Sequence, residues 1–178
     1  MRRALVRRPG PRIAHGIVTH IERQPVYGRL AREQWEGYVR AMESAGWETI
    51  EVPGGEDFPD GAFIEDTMVV YKDLAVIARP GAEARRPEVP DAEKVVEIGY
   101  PPLVDDPSAF PRFVAVPEES GSHVVLLGEN RLLMAADCPE SAGQFASMGY
   151  EPVTVDIGEF QKLEGCVTCL SVRLRGVG

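Results

Sequence analysis

The residues best suited to chemistry lie near the C-terminus, where Cys166 and Cys169 form a C-x-x-C motif. A cysteine attacks as the thiolate, and a free thiol with a pKa near about 8.5 is only a few per cent ionised at neutral pH. A catalytic cysteine therefore needs a cation or a base beside it. A cysteine in a strand is otherwise a small buried hydrophobic residue, so the motif alone does not establish a site.

A structural zinc site, a thioredoxin-like dithiol and a site lined by a single cysteine compete for this motif. A structural zinc site takes four ligands, usually from a second such pair, and the sequence has only three cysteines. A thioredoxin-like dithiol sits at a helix N-terminus, whereas apolar and β-branched residues typical of a strand surround Cys169. Residues an odd number apart in a strand point to opposite faces, so we expect Cys166 and Cys169 to diverge and only one to line a site.

The cysteine stretch has an acidic counterpart earlier in the chain. Asp66 follows Gly46 by 20 residues, and Cys169 follows Gly149 by 20 residues. A helix-like segment precedes each glycine, which indicates an internal repeat. If the copies are related by pseudosymmetry, the thiol and the carboxylates face one cavity. Glu65 and Asp66 could then hold a guanidinium group by bidentate hydrogen bonds, although a turn or a surface pair is the simpler alternative.

Composition bounds the class of protein. The chain has 178 residues, of which 44% are hydrophobic and 26% charged, as in one ordinary globular domain. A net charge of −9 argues against a nucleic-acid partner, which needs a basic face. The odd, low number of cysteines indicates a reducing compartment, and no stretch approaches the roughly 20 apolar residues of a membrane span. We therefore predict a cytoplasmic protein without a membrane partner.

Alternating strand and helix patterns predict an α/β fold of strand–hairpin–helix repeats. The predicted strands are 4–6, 49–52, 113–116 and 153–155, the hairpins are 67–78 and 123–135, and the helices are 30–45, 91–97 and 138–148. The helix at 91–97 is well below the mean length of about 11 residues. It is too short to cover the hairpin before it, which has apolar residues on both faces.

Three motifs in order resemble the dimethylarginine dimethylaminohydrolase family of the guanidine-modifying superfamily. They are Phe63-Ile64-Glu65-Asp66, Arg79-Pro80-Gly81-Ala82-x-x-Arg85-Arg86 and Gly165-x-x-Thr168-Cys169-x-Ser171. The resemblance implies one domain over 1–178 with an α/β propeller (pentein) fold, a five-bladed ring of ββαβ modules around a channel. It implies hydrolysis of asymmetric dimethylarginine or monomethylarginine to citrulline and dimethylamine or methylamine, without a cofactor.

The resemblance also implies residue roles. Cys169 matches the nucleophile, which would form a covalent thiouronium-type intermediate, and Glu65 and Asp66 match the carboxylates that hold the guanidinium. The other matching positions are Asp60 and Arg85 for the amino-acid end of the substrate, Phe63 for an aromatic wall, Ile17 for a mobile lid, and Glu164, where many relatives have aspartate.

The chain departs from the family at its centre. The family's acidic glycine motif, a substrate-binding arginine and the catalytic histidine lie between the equivalents of Glu97 and Ile98, and none is present. We assign none of His15, His20 and His123 as the general acid. We expect an incomplete ring and a missing segment between residues 97 and 98, either a true deletion or part of a longer native chain.

Three alternatives to this hydrolase stay open. Without a histidine, acid–base help of about 10²–10⁴-fold is lost, which would leave a guanidinium-binding protein without turnover. Arginine deiminase shares the nucleophilic chemistry, and one or two methyl groups change binding in a pocket by only about 1–3 kcal/mol. A purely structural module would bind neither compound. The partner we expect is a small methylated arginine, and a homodimer is left open.

Overall fold

The computed structural model describes residues 2–71, 74–77, 82–90 and 116–175. The helix predicted at 91–97, most of the strand predicted at 113–116 and the junction of Glu97 with Ile98 lie outside these ranges. The strands are β1 (Arg2–Val6), β2 (Trp47–Glu51), β3 (Met68–Tyr71), β4 (Leu74–Ile77), β5 (Val125–Gly128), β6 (Arg131–Ala135), β7 (Glu151–Val155) and β8 (Val172–Arg175). The helices are α1 (Gly28–Ser44), α2 (Pro139–Ser147) and α3 (Gly158–Gln161).

Two of the sheets are built in the same way. Strand β1 pairs antiparallel with β8 and parallel with β2, and α1 connects β1 to β2. Strand β6 pairs antiparallel with β5 and parallel with β7, and α2 connects β6 to β7. Each sheet is therefore a ββαβ module, as predicted. The hairpin β3–β4 forms a further two-stranded sheet.

Helix α1 shows why the local sequence folds as it does. Its buried residues include Ala31, Trp35, Tyr38 and Met42, which recur at helical spacing and form one apolar face. The helix ends just before Gly46, whose φ of +82° is a left-handed conformation that glycine adopts without a steric penalty. Gly149 follows α2 with a φ of +90°. The glycines of the predicted repeat thus end equivalent helices.

The cysteine stretch is not a strand, which corrects the prediction. A 3₁₀ turn spans Val167–Leu170, and the strand begins only at Val172. The prediction that Cys166 and Cys169 diverge is wrong because it assumed the alternating pleat of a strand.

The acidic counterpart has the same form, with the 3₁₀ turn Ile64–Thr67 leading into β3. We call these two segments the cysteine turn and the acidic turn. Residues 159–163, predicted as a loop, begin instead within the short helix α3. No helix in the described ranges is both long and apolar enough to cross a membrane.

Candidate active site

The cysteine turn and the acidic turn pack against each other, at one side of a cavity of about 430 Å³. The repeat therefore brings Asp66 and Cys169 to a common centre, as its spacing predicted. The cavity-lining residues are Ile17, Asp60, Phe63, Asp66, Ala82, Arg85, Leu163, Glu164, Gly165 and Cys169.

Seven of the eight predicted site residues line this cavity, and Glu65 is the exception. The Glu65 carboxylate lies beside the cavity, where it accepts a hydrogen bond from Arg173 Nη2 at 3.4 Å. The nearby hydroxyl of Thr168 also favours the charged form of this carboxylate. Burial raises the pKa of Glu65, and the charge of Arg173 opposes that rise. In this structure Glu65 is therefore paired with the protein's own guanidinium.

The two cysteines of the motif touch. Their Sγ atoms are 3.2 Å apart, and the Oγ1 of Thr168 is 3.1 Å from the Sγ of Cys166. A hydrogen bond from the Cys169 thiol lowers the pKa of Cys166 to about 5. The pKa of Cys169 is raised because it keeps that shared proton and because it is buried, with the charge of Asp66 adding to the effect. The two pKa values therefore shift in opposite directions because the thiols share one hydrogen bond.

Arg85 organises the acidic turn. Its Nη1 donates to Asp66 Oδ2 at 2.6 Å, and its Nη2 donates to Glu88 Oε2 at 3.1 Å. Nη2 also reaches the backbone carbonyls of Asp60 and Phe63, at 3.3 and 3.4 Å. The Glu88 side chain is only 2% exposed, so it is a buried anchor for the guanidinium group. Glu88 was not among the predicted site residues, although an acidic residue three positions after Arg85 is a signal for such a pair.

Asp60 connects the acidic side of the cavity to the segment predicted to carry the lid. Its Oδ1 accepts the backbone N–H of Ile17 at 2.9 Å. A Cβ on Gly16 would come within 2.8 Å of the same oxygen, so this close approach requires glycine. Burial raises the pKa of Asp60, and the Ile17 N–H and the charge of Arg85 oppose the rise.

Glu164, which also lines the cavity, holds the same segment. Its Oε1 accepts backbone N–H groups from Thr19 at 2.9 Å, from Ile21 at 3.1 Å and from His20, and its Oε2 accepts the Thr19 hydroxyl at 3.0 Å. These donors, the His20 N–H first, lower the pKa of Glu164 to about 2. We call residues 16–21 the lid segment. The carboxylate predicted to contact substrate is therefore engaged with the lid segment here.

An aromatic wall closes one side of the cavity. Phe63 packs edge-to-face on Phe160, with ring centroids 6.1 Å apart and planes at 78°. A Cβ on Gly165 would overlap the Phe63 ring. Gly165 therefore has to be glycine for the cysteine turn to pack against this wall.

None of the three histidines lies among the cavity-lining residues that the structure describes. His20 contributes only its backbone N–H to Glu164. The charge of His123 is near enough to lower the pKa of Cys166. Within the described ranges, no group of three or more histidine, cysteine or acidic side chains is arranged to hold a metal ion.

Comparison with known proteins gives full-length relatives, although no protein-family model matches the chain. It is 42% identical to an N(G),N(G)-dimethylarginine dimethylaminohydrolase of Streptomyces coelicolor over 251 aligned residues, which cover 98% of this chain and 97% of the relative. A protein of the same name from Pseudomonas aeruginosa is 22% identical over 249 aligned residues, with 95% of this chain and 98% of the relative covered.

The length of the first alignment is informative in itself. It runs over 251 positions while the chain has 178 residues, so at least 73 of its positions have no residue of this chain. The relative therefore contains a substantial stretch that this sequence lacks, although the alignment covers nearly the whole of both proteins.

Solved structures identify the fold. A dimethylarginine dimethylaminohydrolase in an adduct with S-methyl-L-thiocitrulline aligns with a TM-score of 0.83 at 21% identity, over 97% of this chain and 99% of that one. A cysteine-to-serine mutant of the Pseudomonas aeruginosa enzyme, complexed with citrulline, aligns with a TM-score of 0.81 at 20% identity, over 97% and 98%. The N-terminal domain of a cyanobacterial arginine dihydrolase aligns at 0.71 and 14%. The predicted α/β propeller (pentein) fold is thus confirmed.

Proposed function

The chain belongs to the dimethylarginine dimethylaminohydrolase family, and on that premise we propose that it hydrolyses asymmetric dimethylarginine or monomethylarginine. The products are citrulline and dimethylamine or methylamine. The observation that carries this proposal is one cavity lined by Cys169, Asp66 and Arg85. The relatives' names and the citrulline complex of the Pseudomonas aeruginosa enzyme support the class of substrate.

Asp66 is the group suited to receive the guanidinium of the substrate. Arg85 occupies its Oδ2, while no described residue hydrogen-bonds to its Oδ1. A planar guanidinium donates well to carboxylate oxygens. Glu65, on the same turn, would have to exchange Arg173 for the substrate to act as the second carboxylate. The proposed binding step is therefore an exchange of one guanidinium for another at Glu65.

Substrate binding would also activate Cys169. The hydrogen bond with Cys166 and burial raise the pKa of this thiol, and the repulsion from the charge of Asp66 adds to the rise. A bound cation cancels that repulsion and favours the charged form of Cys169. The thiolate then bonds to the guanidinium carbon, the C–N bond to the methylated amine breaks, and the amine departs with a proton taken from water. Water adds to the same carbon, the C–S bond breaks, and citrulline is released with Cys169 restored.

The family resemblance assigns Asp60 and Arg85 to the amino-acid end of the substrate, and Arg85 would have to turn from Asp66 Oδ2 to meet it. Asp60 can pair with an α-ammonium group, and Arg85 can pair with an α-carboxylate. Phe63 would pack against the aliphatic stem, and Ile17 would cover it from the lid segment. These roles come from the family resemblance, and the place of all four residues in the cavity lining supports them.

The test is release of citrulline from asymmetric dimethylarginine. Cys169→Ser should reduce turnover to background while leaving the fold intact, because a serine hydroxyl is a much weaker nucleophile at neutral pH. Cys138→Ser is the matched control, since this buried thiol only donates to the Ala135 carbonyl at 2.9 Å. Equal activity of Cys169→Ser and the unmodified protein would remove Cys169 from the mechanism.

Binding without turnover is the second candidate, because no histidine occurs among the described cavity-lining residues. The lost general acid would slow departure of the amine by about 10²–10⁴-fold. Calorimetry with asymmetric dimethylarginine, run beside the citrulline assay, separates the two functions. Binding without citrulline supports the second candidate, and steady turnover by the 178-residue chain excludes it.

Arginine is the competing substrate, and we propose that the methylated forms are preferred. The two differ by one or two methyl groups, which in a pocket change binding by about 1–3 kcal/mol, or roughly 10–200-fold. Competition assays with arginine and both methylated forms would rank them. A clear preference for arginine would indicate an arginine deiminase instead.

A cytoplasmic location completes the proposal. All three cysteines are free, which suits a reducing compartment. Fractionation of cells that express the protein, followed by detection with an antibody, tests this directly.

A further inference from the structure

We propose that Cys166 and Cys169 are a redox-modification site, at which a reversible disulfide blocks the nucleophile under oxidising conditions. The effect on turnover rests on the proposed function, because it requires Cys169 to be the nucleophile. The formation of the disulfide itself does not depend on that role.

The geometry of the cysteine turn is close to that of a disulfide bond. The Sγ atoms are 3.2 Å apart, so closure to a bond of about 2.05 Å needs a shift of only about 1 Å. The N–H of Cys169 donates to the carbonyl of Cys166 at 3.1 Å, which closes a four-residue turn. Such turns bring their end Cα atoms within about 7 Å, and disulfides span about 4.4–6.8 Å. The backbone therefore already suits the cross-link.

The chemistry of Cys166 also favours reversible oxidation. Its thiolate is favoured by hydrogen bonds from the Cys169 thiol and the Thr168 hydroxyl and by the charge of His123. Its side chain is half-buried, so an oxidant from solvent can reach it. A low pKa, access to solvent and a second thiol alongside are the features of cysteines that oxidise reversibly. The substrate cavity does not account for Cys166, which is not among its lining residues.

A peroxide is the class of oxidant that this arrangement takes. The Cys166 thiolate attacks one peroxide oxygen, the O–O bond breaks, and Cys166 becomes a sulfenic acid as hydroxide or alkoxide leaves. The Cys169 sulfur then attacks the Cys166 sulfur, and the sulfenic oxygen leaves as water with the thiol proton. Two thiols and one hydrogen peroxide thus give a disulfide and two waters. An external thiol reverses the bond by exchange through a mixed disulfide.

The experiment treats the full chain with hydrogen peroxide, blocks the remaining thiols with an alkylating reagent, and records intact mass beside citrulline release. Turnover is measured first, and alkylation is carried out in denaturant so that the buried Cys138 reacts. We expect turnover to stop and the chain to carry one alkyl group, with a mass two hydrogen atoms below that of a reduced chain with one alkyl group. Dithiothreitol, added before alkylation, should reverse both changes. Peptide mapping should join Cys166 to Cys169. Cys138→Ser should lose and regain turnover in the same way but take up no alkyl group, because Cys138 contacts the Ala135 carbonyl in the unmodified protein and takes no part in the disulfide.

Cys166→Ser provides the decisive comparison, with its turnover normalised to its own untreated value. Without the partner thiol, Cys169 should oxidise past the sulfenic acid to forms that dithiothreitol does not restore. The proposal is overturned if Cys166→Ser recovers as fully as the unmodified protein, or if mapping finds no bond between the two cysteines. A reversible disulfide in a protein without turnover would instead refute the proposed function and leave the redox site standing.

Discussion

The carboxylates around the cavity differ in the direction in which the protein shifts their pKa values. Burial raises the pKa values of Asp60 and Glu65, whereas backbone N–H groups lower that of Glu164. A cationic substrate would stabilise the charged forms of Asp60 and Glu65. It would change Glu164 little, because backbone N–H groups already stabilise that carboxylate. At the scale of the residue, Asp60 and Glu65 are therefore suited to respond to substrate, and Glu164 is suited to hold the lid segment.

Replacement of Glu164 by glutamine tests that division. Glutamine keeps the shape but accepts more weakly from the N–H groups of residues 19–21, so we expect a higher KM and faster proteolysis within the lid segment. Glu33→Gln, which only loosens an exposed ion pair with Arg29 on α1, is the control. Equal KM and equal proteolysis in the two variants would contradict the assignment of Glu164 to the lid.

The effect of Glu164 on stability should depend on pH with a definite sign. Its pKa is lower in the folded protein, about 2, than its ordinary value of 4.5. The stabilisation is therefore complete above pH 4.5 and is lost as pH falls through about 2. Thermal unfolding of the unmodified protein and Glu164→Gln should differ most near neutrality and converge in acid. A difference in stability that stays constant or grows toward low pH would argue against the backbone N–H groups as the cause of the lowered pKa.

Most of the predicted site residues line one cavity, and one relationship among them was predicted wrongly. The motifs and the 20-residue spacing placed Asp66 and Cys169 correctly because a repeat fixes positions in the fold. The contact of Cys166 with Cys169 was missed because β-branched neighbours suggested a pleat, while the chain forms a 3₁₀ turn. The hydrogen bonds of Glu164 join residues some 145 positions apart, and no local pattern predicts such a contact.

At the scale of elements, helix α1 supports the cysteine turn from behind. The hydroxyl of Tyr38 lies 2.7 Å from the Oγ of Ser171, and both side chains are fully buried. Burial raises the pKa of Tyr38 to about 12, so the hydroxyl stays neutral. Arg173 Nη1 also donates to this Oγ at 3.3 Å. The hydrogen bond thus ties the helix to the residue that joins the cysteine turn to β8.

Tyr38→Phe should lower the free energy of unfolding by about 1 kcal/mol, the usual contribution of one hydrogen bond. Ser171 keeps its contact with Arg173, so a larger loss is not expected. Tyr150→Phe is the control, because that ring is partly exposed and packs edge-to-face on Phe145. Urea unfolding of both variants gives the comparison. No difference between them would mean that the buried hydroxyl pair adds nothing to stability.

Two glycine substitutions separate packing at the site from helix propensity. In Gly165→Ala the new methyl group would overlap the Phe63 ring, so we expect destabilisation of about 1–3 kcal/mol and a loss of turnover. In Gly143→Ala, within α2, the methyl group would meet no atom within 4 Å, so stability should rise by about 0.5–1 kcal/mol. Thermal unfolding and citrulline release check both. A Gly165→Ala variant with unchanged stability and turnover would contradict the close packing of the aromatic wall.

At the scale of the whole molecule, the two ββαβ modules are joined directly. Trp47 Nε1, from β2, donates to the Leu127 carbonyl at 2.8 Å, and Arg2 Nη1 reaches the same oxygen at 2.9 Å. Helix α1 meets α3 where Gln34 Oε1 accepts the N–H of Glu159 at 2.8 Å. The antiparallel pair β1–β8 joins the two sequence halves within one sheet. The cavity therefore depends on contacts between distant parts of the chain.

The acidic character of the whole chain has a kinetic consequence. A net charge of −9 attracts a cationic substrate at long range, and dissolved salt weakens this attraction by screening. We expect kcat/KM for asymmetric dimethylarginine to fall as sodium chloride increases, with kcat nearly constant. Assays between low and physiological ionic strength check this. An unchanged kcat/KM would indicate that long-range charge does not assist binding.

The junction of Glu97 with Ile98 is the last feature that bears on the whole molecule. The helix predicted before it is too short to cover a hairpin, and the Streptomyces coelicolor relative aligns with at least 73 positions that this sequence lacks. The family's catalytic histidine is expected in that stretch. A ring without those modules would leave open sheet edges, which promote aggregation. The simplest resolution is that the native chain carries further residues between 97 and 98.

We therefore predict that the native protein, purified from its own cells and denatured, has an intact mass well above 19.5 kDa, the mass of the 178 residues. Denaturation matters because a homodimer would otherwise raise the apparent size. The longer chain should contain a histidine whose replacement by glycine abolishes citrulline release. A native mass of 19.5 kDa would contradict the prediction, and the incomplete ring would then have to bind or turn over guanidinium compounds without that histidine.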